Sequence, residues 1–374
     1  MNAGRLRWAE VDLAALAHNV GQFRARLGPA TRLMAVVKAD AYGHGAVPVG
    51  QAALRAGADW LAVSTLEEAL ALRDGGIVAP VLLLGPLAAG AEAEAITAKV
   101  GVSVHGADGL ERLASAAESH APGTQIPVHL KVDTGMARLG CPPDESLDLA
   151  RRVVAAPGLS LEGLWTHFAE ADDPASARTS RQLQAFMAVT ASLAAAGIEV
   201  PVLHAANSAA ALQFPGSQLT MVRCGLPLYG YPSGAVSDVD LRPVLAWKSR
   251  VVAVHRLRGG DRVGYGGTFT ASGPTTVATV ATGYADGYRR ALSGRAEVLL
   301  HGRRLPVIGR VSMDFLTVDA TTLPGTAEGD EVVLLGRQGE GEVTAVDLAG
   351  WMDSISWEVL VAIGPRVERV HLNA

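Results

Sequence analysis

Over its first two thirds the chain alternates short β-rich runs with longer stretches of helical character. This alternation narrows the choice of fold more than any other feature. The runs predict strands over 33–38, 60–64, 81–85, 101–104, 128–133, 161–166, 202–204 and 220–223. Each but the last is followed by a helix-like segment, such as 65–74, 108–118, 144–155 or 175–196, and a helix over 13–27 opens the chain. A short apolar run bounded by turn residues fits a strand buried on both faces. Strands alternating with helices imply right-handed crossovers and a parallel sheet. Units of this number within roughly 230 residues make a (β/α)8 TIM-type barrel. An open doubly wound sheet is disfavoured, because no GxGxxG follows the first strand.

After Gly230 the texture changes. Residues 231–243, YPSGAVSDVDLRP, read as a linker, and β-branched runs follow over 244–257, 275–282, 297–301, 307–319 and 331–336 with few helix-sized patterns between them. The expected division is a barrel over 1–235 and a mostly β domain over 236–374. At 49% hydrophobic and 18% charged residues the chain has ample core material and no signature of disorder. A formal charge of -5 leaves no basic footprint for nucleic acid. No apolar run approaches a membrane span, and the N-terminus lacks the apolar stretch of a signal peptide. Cys141 and Cys224, without CxxC spacing, fit a reducing compartment. A cytoplasmic enzyme is expected.

Lys38 stands where the first barrel strand emerges, the end at which such barrels build their active sites. Partial burial there lowers an amine's pKa and favours nucleophilic or Schiff-base chemistry. A lone lysine at a strand end more often snorkels to solvent. Here Tyr42, Gly43 and Gly45 follow, offering a phenol and close backbone approach. Strand five places Lys131 and Asp133 on one face, with Arg138 in the loop beyond. Strand six ends at His167, strand seven runs into His204 and Ser208, and strand eight ends in Arg223, Gly225 and Leu226. Singly, a histidine is usually core, an arginine an ion-pair partner and a serine a helix cap. Together, basic groups, hydroxyls and glycine amides at successive strand ends suit a phosphate-bearing anion. His129, His167, His204 and Lys131 also raise the option of a metal-dependent barrel hydrolase. That class wants an HxH pair on the first strand, so no metal is expected.

Eight separated segments stand out: AVVKADAYGHG (35–45), KVDTGMARLG (131–140), THFAEAD (166–172), AANSAA (205–210), VRCGLPLYG (222–230), RVGYGGT (262–268), GYADGY (283–288) and RVSMD (310–314). In order and across nearly the whole chain, they resemble the alanine racemases. The resemblance implies pyridoxal 5'-phosphate held covalently by Lys38, with Tyr42, Ser208 and the Gly225 and Leu226 amides on its phosphate and Arg223 at its pyridine nitrogen. It implies Arg138 at the cofactor and the substrate carboxylate, Met313 as a second carboxylate contact, and Lys131 as a carbamylation site orienting Arg138. Lys38 and Tyr265 become the two bases, with His167, linked to Arg223, assisting the tyrosine. The implied protein is a cytoplasmic homodimer with shared sites that interconverts L- and D-alanine for peptidoglycan. It engages no nucleic acid or membrane. One position departs: Trp357 stands where the family usually has a tyrosine that contacts the phosphate and narrows the pocket. A racemase of the same fold with serine or broad specificity therefore stays open. So do a decarboxylase of this architecture and a non-catalytic pyridoxal-phosphate-binding protein, although the latter generally lacks the second domain.

Overall fold

The computed structural model describes residues 4–234 and 239–373. The boundary expected between 235 and 236 lies outside the described residues. The chain forms two compact units, one from Ala15–Ala41 and Ala46–Arg242, the other from Met1–Ala14, Tyr42–Gly45 and Pro243–Ala374.

The first strand, β1 (Arg7–Asp12), precedes the opening helix Leu13–Arg24 and was not anticipated from the sequence. The barrel unit then supplies β2 (Arg32–Val36), β3 (Trp60–Val63), β4 (Val81–Leu83), β5 (Gly101–Val104), β6 (Ile126–Lys131), β7 (Leu159–Trp165), β8 (Val202–His204) and β9 (Met221–Cys224). Each pairs in parallel with its sequence neighbour from β2 to β8, and β9 pairs with β2. The Thr220 amide donates to Leu203 O at 3.2 Å and that of Arg223 to Ala206 O at 3.0 Å, drawing β8 and β9 together so that the sheet nearly closes. The expected barrel class is thus met, with strand ends displaced by at most two residues. The strands are almost wholly buried, as continuous apolar runs between helices require.

The other unit continues with β10 (Leu245–Leu257), β11 (Arg262–Val263), β12 (Phe269–Thr270), β13 (Thr275–Val280), β14 (Glu297–Leu300), β15 (Arg303–Ile308), β16 (Leu316–Asp319), β17 (Glu331–Gln338), β18 (Gly341–Val343) and β19 (Glu368–Leu372). A nine-stranded sheet gathers all of these except the short β11–β12 hairpin, together with β1, which pairs antiparallel with β10 and parallel with β19. The run read as one strand over 307–319 is two, β15 and β16, joined by a loop that carries Ser312 and Met313. Two short helices, Ala345–Trp351 and Ser356–Val361, complete the unit.

One buried carboxylate ties the distant parts of this unit together. Asp286 is fully buried, accepts from Arg7 Nη1 at 2.6 Å, lies 3.4 Å from Arg366 Nε and takes the Gly283 amide at 3.0 Å. Asp286→Ala removes the acceptor of the Arg7 guanidinium and of the Gly283 amide, while Arg366, partly exposed, keeps Asp314. Hydrogen bonds to charged groups contribute about 1.5–3 kcal/mol each, and a loss of about 2 kcal/mol is expected. Urea denaturation should show a lower midpoint with an unchanged slope.

Candidate active site

Lys38 follows the end of β2, and the backbone there does what nothing in its composition announces. Ala39, Asp40, Ala41 and Tyr42 all adopt left-handed φ values between 52° and 55°. Each such L-residue costs about 1–2 kcal/mol, so the turn persists only where surroundings over-determine it. Within the barrel unit, Glu68 Oε1 accepts the Ala39 amide at 2.6 Å and Asp40 Oδ1 that of Ala46 at 2.7 Å. Within the other unit, Arg369 Nε donates to Gly43 O at 2.9 Å. Glu68 closes a capping box with Thr65 at the start of Leu66–Asp74. The sequence reading passed over it, although Thr65-x-x-Glu68 is a legible capping-box pattern.

The barrel unit brings together a cluster of cations. Burial first, then Arg138, lowers the pKa of Lys38. Burial, Arg138 and Arg223 bring Lys131 down to about 8, and its ammonium lies 4.4 Å from the Trp165 ring centre. The Asp133 carboxylate is committed to its own loop, where Oδ1 accepts the amides of Gly135, Met136 and Ala137 at 2.7–3.2 Å and Oδ2 that of Arg138 at 3.2 Å. Asp133 therefore builds the turn that carries Arg138, a role beyond the shared strand face expected for it. Ser208 opens the helix Ser208–Gln213, capped by Asn207. Its Oγ accepts the Gly225 amide at 2.9 Å, which leaves the hydroxyl proton available to donate. The Gly225 amide thus already has a protein partner. Leu226 begins the short turn Leu226–Tyr229.

Arg223 is the centre of the arrangement, with only 3% of its surface exposed. It donates to the carbonyls of His204 (2.8 Å), Thr166 (2.7 Å) and Ala205 (3.0 Å), and to the Nδ1 atoms of His204 (3.1 Å) and His167 (3.2 Å). Burial lowers its pKa to about 9, still cationic at neutral pH. Burial and the neighbouring cations hold His167 well below the usual imidazole range. A guanidinium can only donate, so His167 accepts on Nδ1 and carries its proton on Nε2.

Tyr42, Tyr265 and Met313 belong to the other unit. Tyr265, 74% exposed, begins the turn Tyr265–Gly267 between β11 and β12. Met313 is 53% exposed. The Tyr284 amide donates to Ser312 O and the Ala285 amide to Met313 O, both at 3.0 Å, so two separated sequence signatures form one structure. Gly283 permits this approach, because a Cβ there would lie 2.3 Å from Ser312 O. Tyr42 is buried, which raises its phenol to about 12. Trp357 is the second residue of Ser356–Val361.

The family description "Alanine racemase, N-terminal domain" matches residues 11–233, and "Alanine racemase, C-terminal domain" matches residues 244–371. An alanine racemase of Symbiobacterium thermophilum is 46% identical over 369 residues, spanning 98% of this chain and 97% of its own. The solved alanine racemase of Streptomyces coelicolor A3(2) superposes with a TM-score of 0.93 at 39% identity, covering 100% of both chains. That of Bartonella henselae, solved with covalently bound pyridoxal phosphate, gives 0.88 at 28% identity, covering 98% of this chain and 100% of its own.

Cations this close to one another are stabilised by an anion. Inorganic phosphate added to exhaustively dialysed protein is expected to raise Tm where chloride at equal ionic strength does not. The gain should reach about 2.7 kcal/mol at a hundred times Kd, and Ser208→Ala should weaken it. Scanning calorimetry with both salts checks this.

Proposed function

The chain belongs to the alanine racemase family, and from that premise we propose that it interconverts L- and D-alanine with pyridoxal 5'-phosphate as cofactor. The observation that carries this reading is the buried Arg223 guanidinium, bonded to carbonyls and imidazoles, within a cluster that includes Lys38, Lys131 and Arg138. That donor set fits a ligand with a phosphate, a ring nitrogen and a carboxylate.

Pyridoxal 5'-phosphate, when bound, draws electron density from the substrate α-carbon. Lys38 would hold it, with Tyr42, Ser208, Gly225 and Leu226 at its phosphate and Arg223 at its ring nitrogen. Lys38 suits covalent attachment because burial and Arg138 shift its ammonium toward the free amine. Arg138 and Met313 receive the substrate carboxylate. Racemisation removes a proton from one face of the α-carbon and returns one to the other, so two bases are needed. Lys38 Nζ, released when the substrate amine takes its place, would serve one face and Tyr265 Oη the other. A phenol becomes an effective base only when its anion is favoured by donors or cations. His167 is suited to that help, since its Nδ1 is taken by Arg223 and its Nε2–H points away as a donor. Arg223 does not share a proton as a carboxylic acid would, which limits the electron sink and side reactions such as transamination. Lys131, brought to about 8, has enough free amine near neutral pH to take up carbon dioxide as a carbamate, which would orient Arg138.

The enzyme works as a cytoplasmic homodimer in which Tyr265 serves the other copy's site, supplying D-alanine for peptidoglycan. No helix among the described residues is long and apolar enough to cross a membrane. Trp357 favours one second reading, a same-fold racemase with serine or broad amino-acid preference, because an indole fills a pocket differently from a phenol.

Purified protein is expected to be yellow, bleached by borohydride, with the label lost in Lys38→Ala. D-alanine should form from L-alanine faster than D-serine from L-serine, and the reverse order would favour the second reading. Yellow but inactive protein would indicate a binding protein. Mixing inactive Lys38→Ala with inactive Tyr265→Phe under subunit exchange should restore part of the activity. Shared sites leave one intact site in each mixed dimer, so no recovery would overturn them.

A further inference from the structure

A hydrogen-bonded chain runs through the barrel interior from Arg223 to a carboxylate. Arg223 Nη1 lies 3.1 Å from His204 Nδ1, His204 Nε2 lies 2.8 Å from His129 Nδ1, and His129 Nε2 lies 3.2 Å from Glu162 Oε2. Because a guanidinium only donates, His204 must accept on Nδ1 and carry its proton on Nε2. It then donates to His129 Nδ1, which leaves the proton of His129 on Nε2, facing Glu162. The two ends dictate one tautomer for each ring, and both rings are neutral. Burial likewise disfavours a cation on either.

The surroundings are built for this chain. His129 and His204 are completely buried. A Cβ on residue 163 would lie 2.1 Å from His129 Nδ1, so Gly163 makes the space that the ring occupies. Trp60 meets His129 edge-on at 5.4 Å, and Trp165 stacks on His204 at 5.6 Å and 9°. Glu162 keeps 31% of its side chain exposed. It opens into a cleft of about 610 Å³ lined by Trp60, Pro80, Gly101 and Pro127, which lie at or beside the starts of barrel strands, opposite the candidate site. One end of the chain therefore meets solvent and the other meets Arg223. The remaining charged neighbours of the cluster are the cations Lys131, Lys38 and Arg138, together with two carboxylates. Asp133 acts on Lys131 but is bonded to its own loop amides, and Glu68 acts on Lys38 and is bonded to the Ala39 amide.

We propose that Glu162 is the remote counter-ion of Arg223, coupled to it through His129 and His204, and thereby a positioning residue that sets how strongly Arg223 donates into the site. A buried charge with no compensation is costly. A carboxylate in direct contact would neutralise Arg223 locally and turn its donors inward. Two interposed imidazoles relay polarisation along the chain while leaving the guanidinium a donor, since hydrogen bonds in a low-dielectric interior polarise one another. The consequence for catalysis rests on assigning Arg223 to the cofactor ring; the coupling itself does not.

The test uses the full-length protein as purified, labelled with 15N in histidine and arginine. At pH 7 both His129 and His204 should read as neutral Nε2–H tautomers. E162Q keeps an acceptor and removes the charge, and it should shift the resonances of His129, His204 and the Arg223 Nη atoms together. An Nδ1–H or doubly protonated ring overturns the chain. A shift confined to His129 overturns the coupling and leaves Glu162 a local acceptor. If E162Q does not fold, the tautomers of the unmodified protein still decide. In yellow protein, E162Q should also move the visible absorption maximum and lower kcat more than it raises KM. No change in either would remove the positioning role. A colourless protein with the expected tautomers would sink the cofactor assignment and leave the relay standing.

Discussion

Arg223 is a cation sealed inside a barrel, with no carboxylate among the five acceptor atoms it bonds. Its stability there depends on how the strand ends are laid out. The carbonyls of Thr166, His204 and Ala205, just past β7 and at the end of β8, turn toward it, and two imidazoles present lone pairs. The bonds that draw β8 and β9 together include the Arg223 amide itself, so the residue closing the barrel backbone is also the one whose side chain organises the interior. His167 and His204 take their tautomers from it, and Trp165 stacks on His204 with the Arg223 guanidinium 4.9 Å from its ring centre.

A second constraint acts at the turn after Lys38. That left-handed turn is intrinsically unfavourable over four residues, and within the barrel unit its Ala39 amide is held by Glu68. Glu68 serves as a helix cap and a clamp on the Ala39 amide at once. Strain next to the lysine proposed to carry the cofactor is consistent with a backbone whose geometry is set for function. The loop of Arg138 follows the same logic, with one carboxylate, Asp133, gathering four successive amides to fix where the guanidinium's backbone stands.

Much of this was legible beforehand. The alternation of strand and helix patterns specified the barrel because buried parallel strands require continuous apolar runs, and the β-branched texture after Gly230 specified a second, sheet-rich unit. The residues at the strand ends were legible as a group: Lys38, Lys131, His167, Ser208 and Arg223 do gather in the barrel unit. β1 was missed because its six residues stand immediately before a helix with no turn signal between them. The break between β15 and β16 was missed because Pro306 to Thr317 is rich in residues at home in either strand or loop. His129 drew attention only as a possible metal ligand, His204 also as a residue at a strand end, and Glu162 drew none.

What the sequence determined by itself is therefore periodic or chemical: which segments are strands, which side chains are ionisable, and which motifs lie at strand ends. Those properties depend on residue type and short spacing. The tertiary structure decided which strands adjoin, that β1 joins a sheet with strands more than two hundred residues away, and that Asp286 binds Arg7 and Arg366. It also decided the protonation pattern. The tautomers of three histidines follow from which atoms face a guanidinium and which face a carboxylate, and those distances arise only when β6, β7, β8 and β9 are brought around one axis. Left-handed backbone after Lys38 belongs to the same class, because local propensity opposes it and only contacts from elsewhere in the chain can hold it.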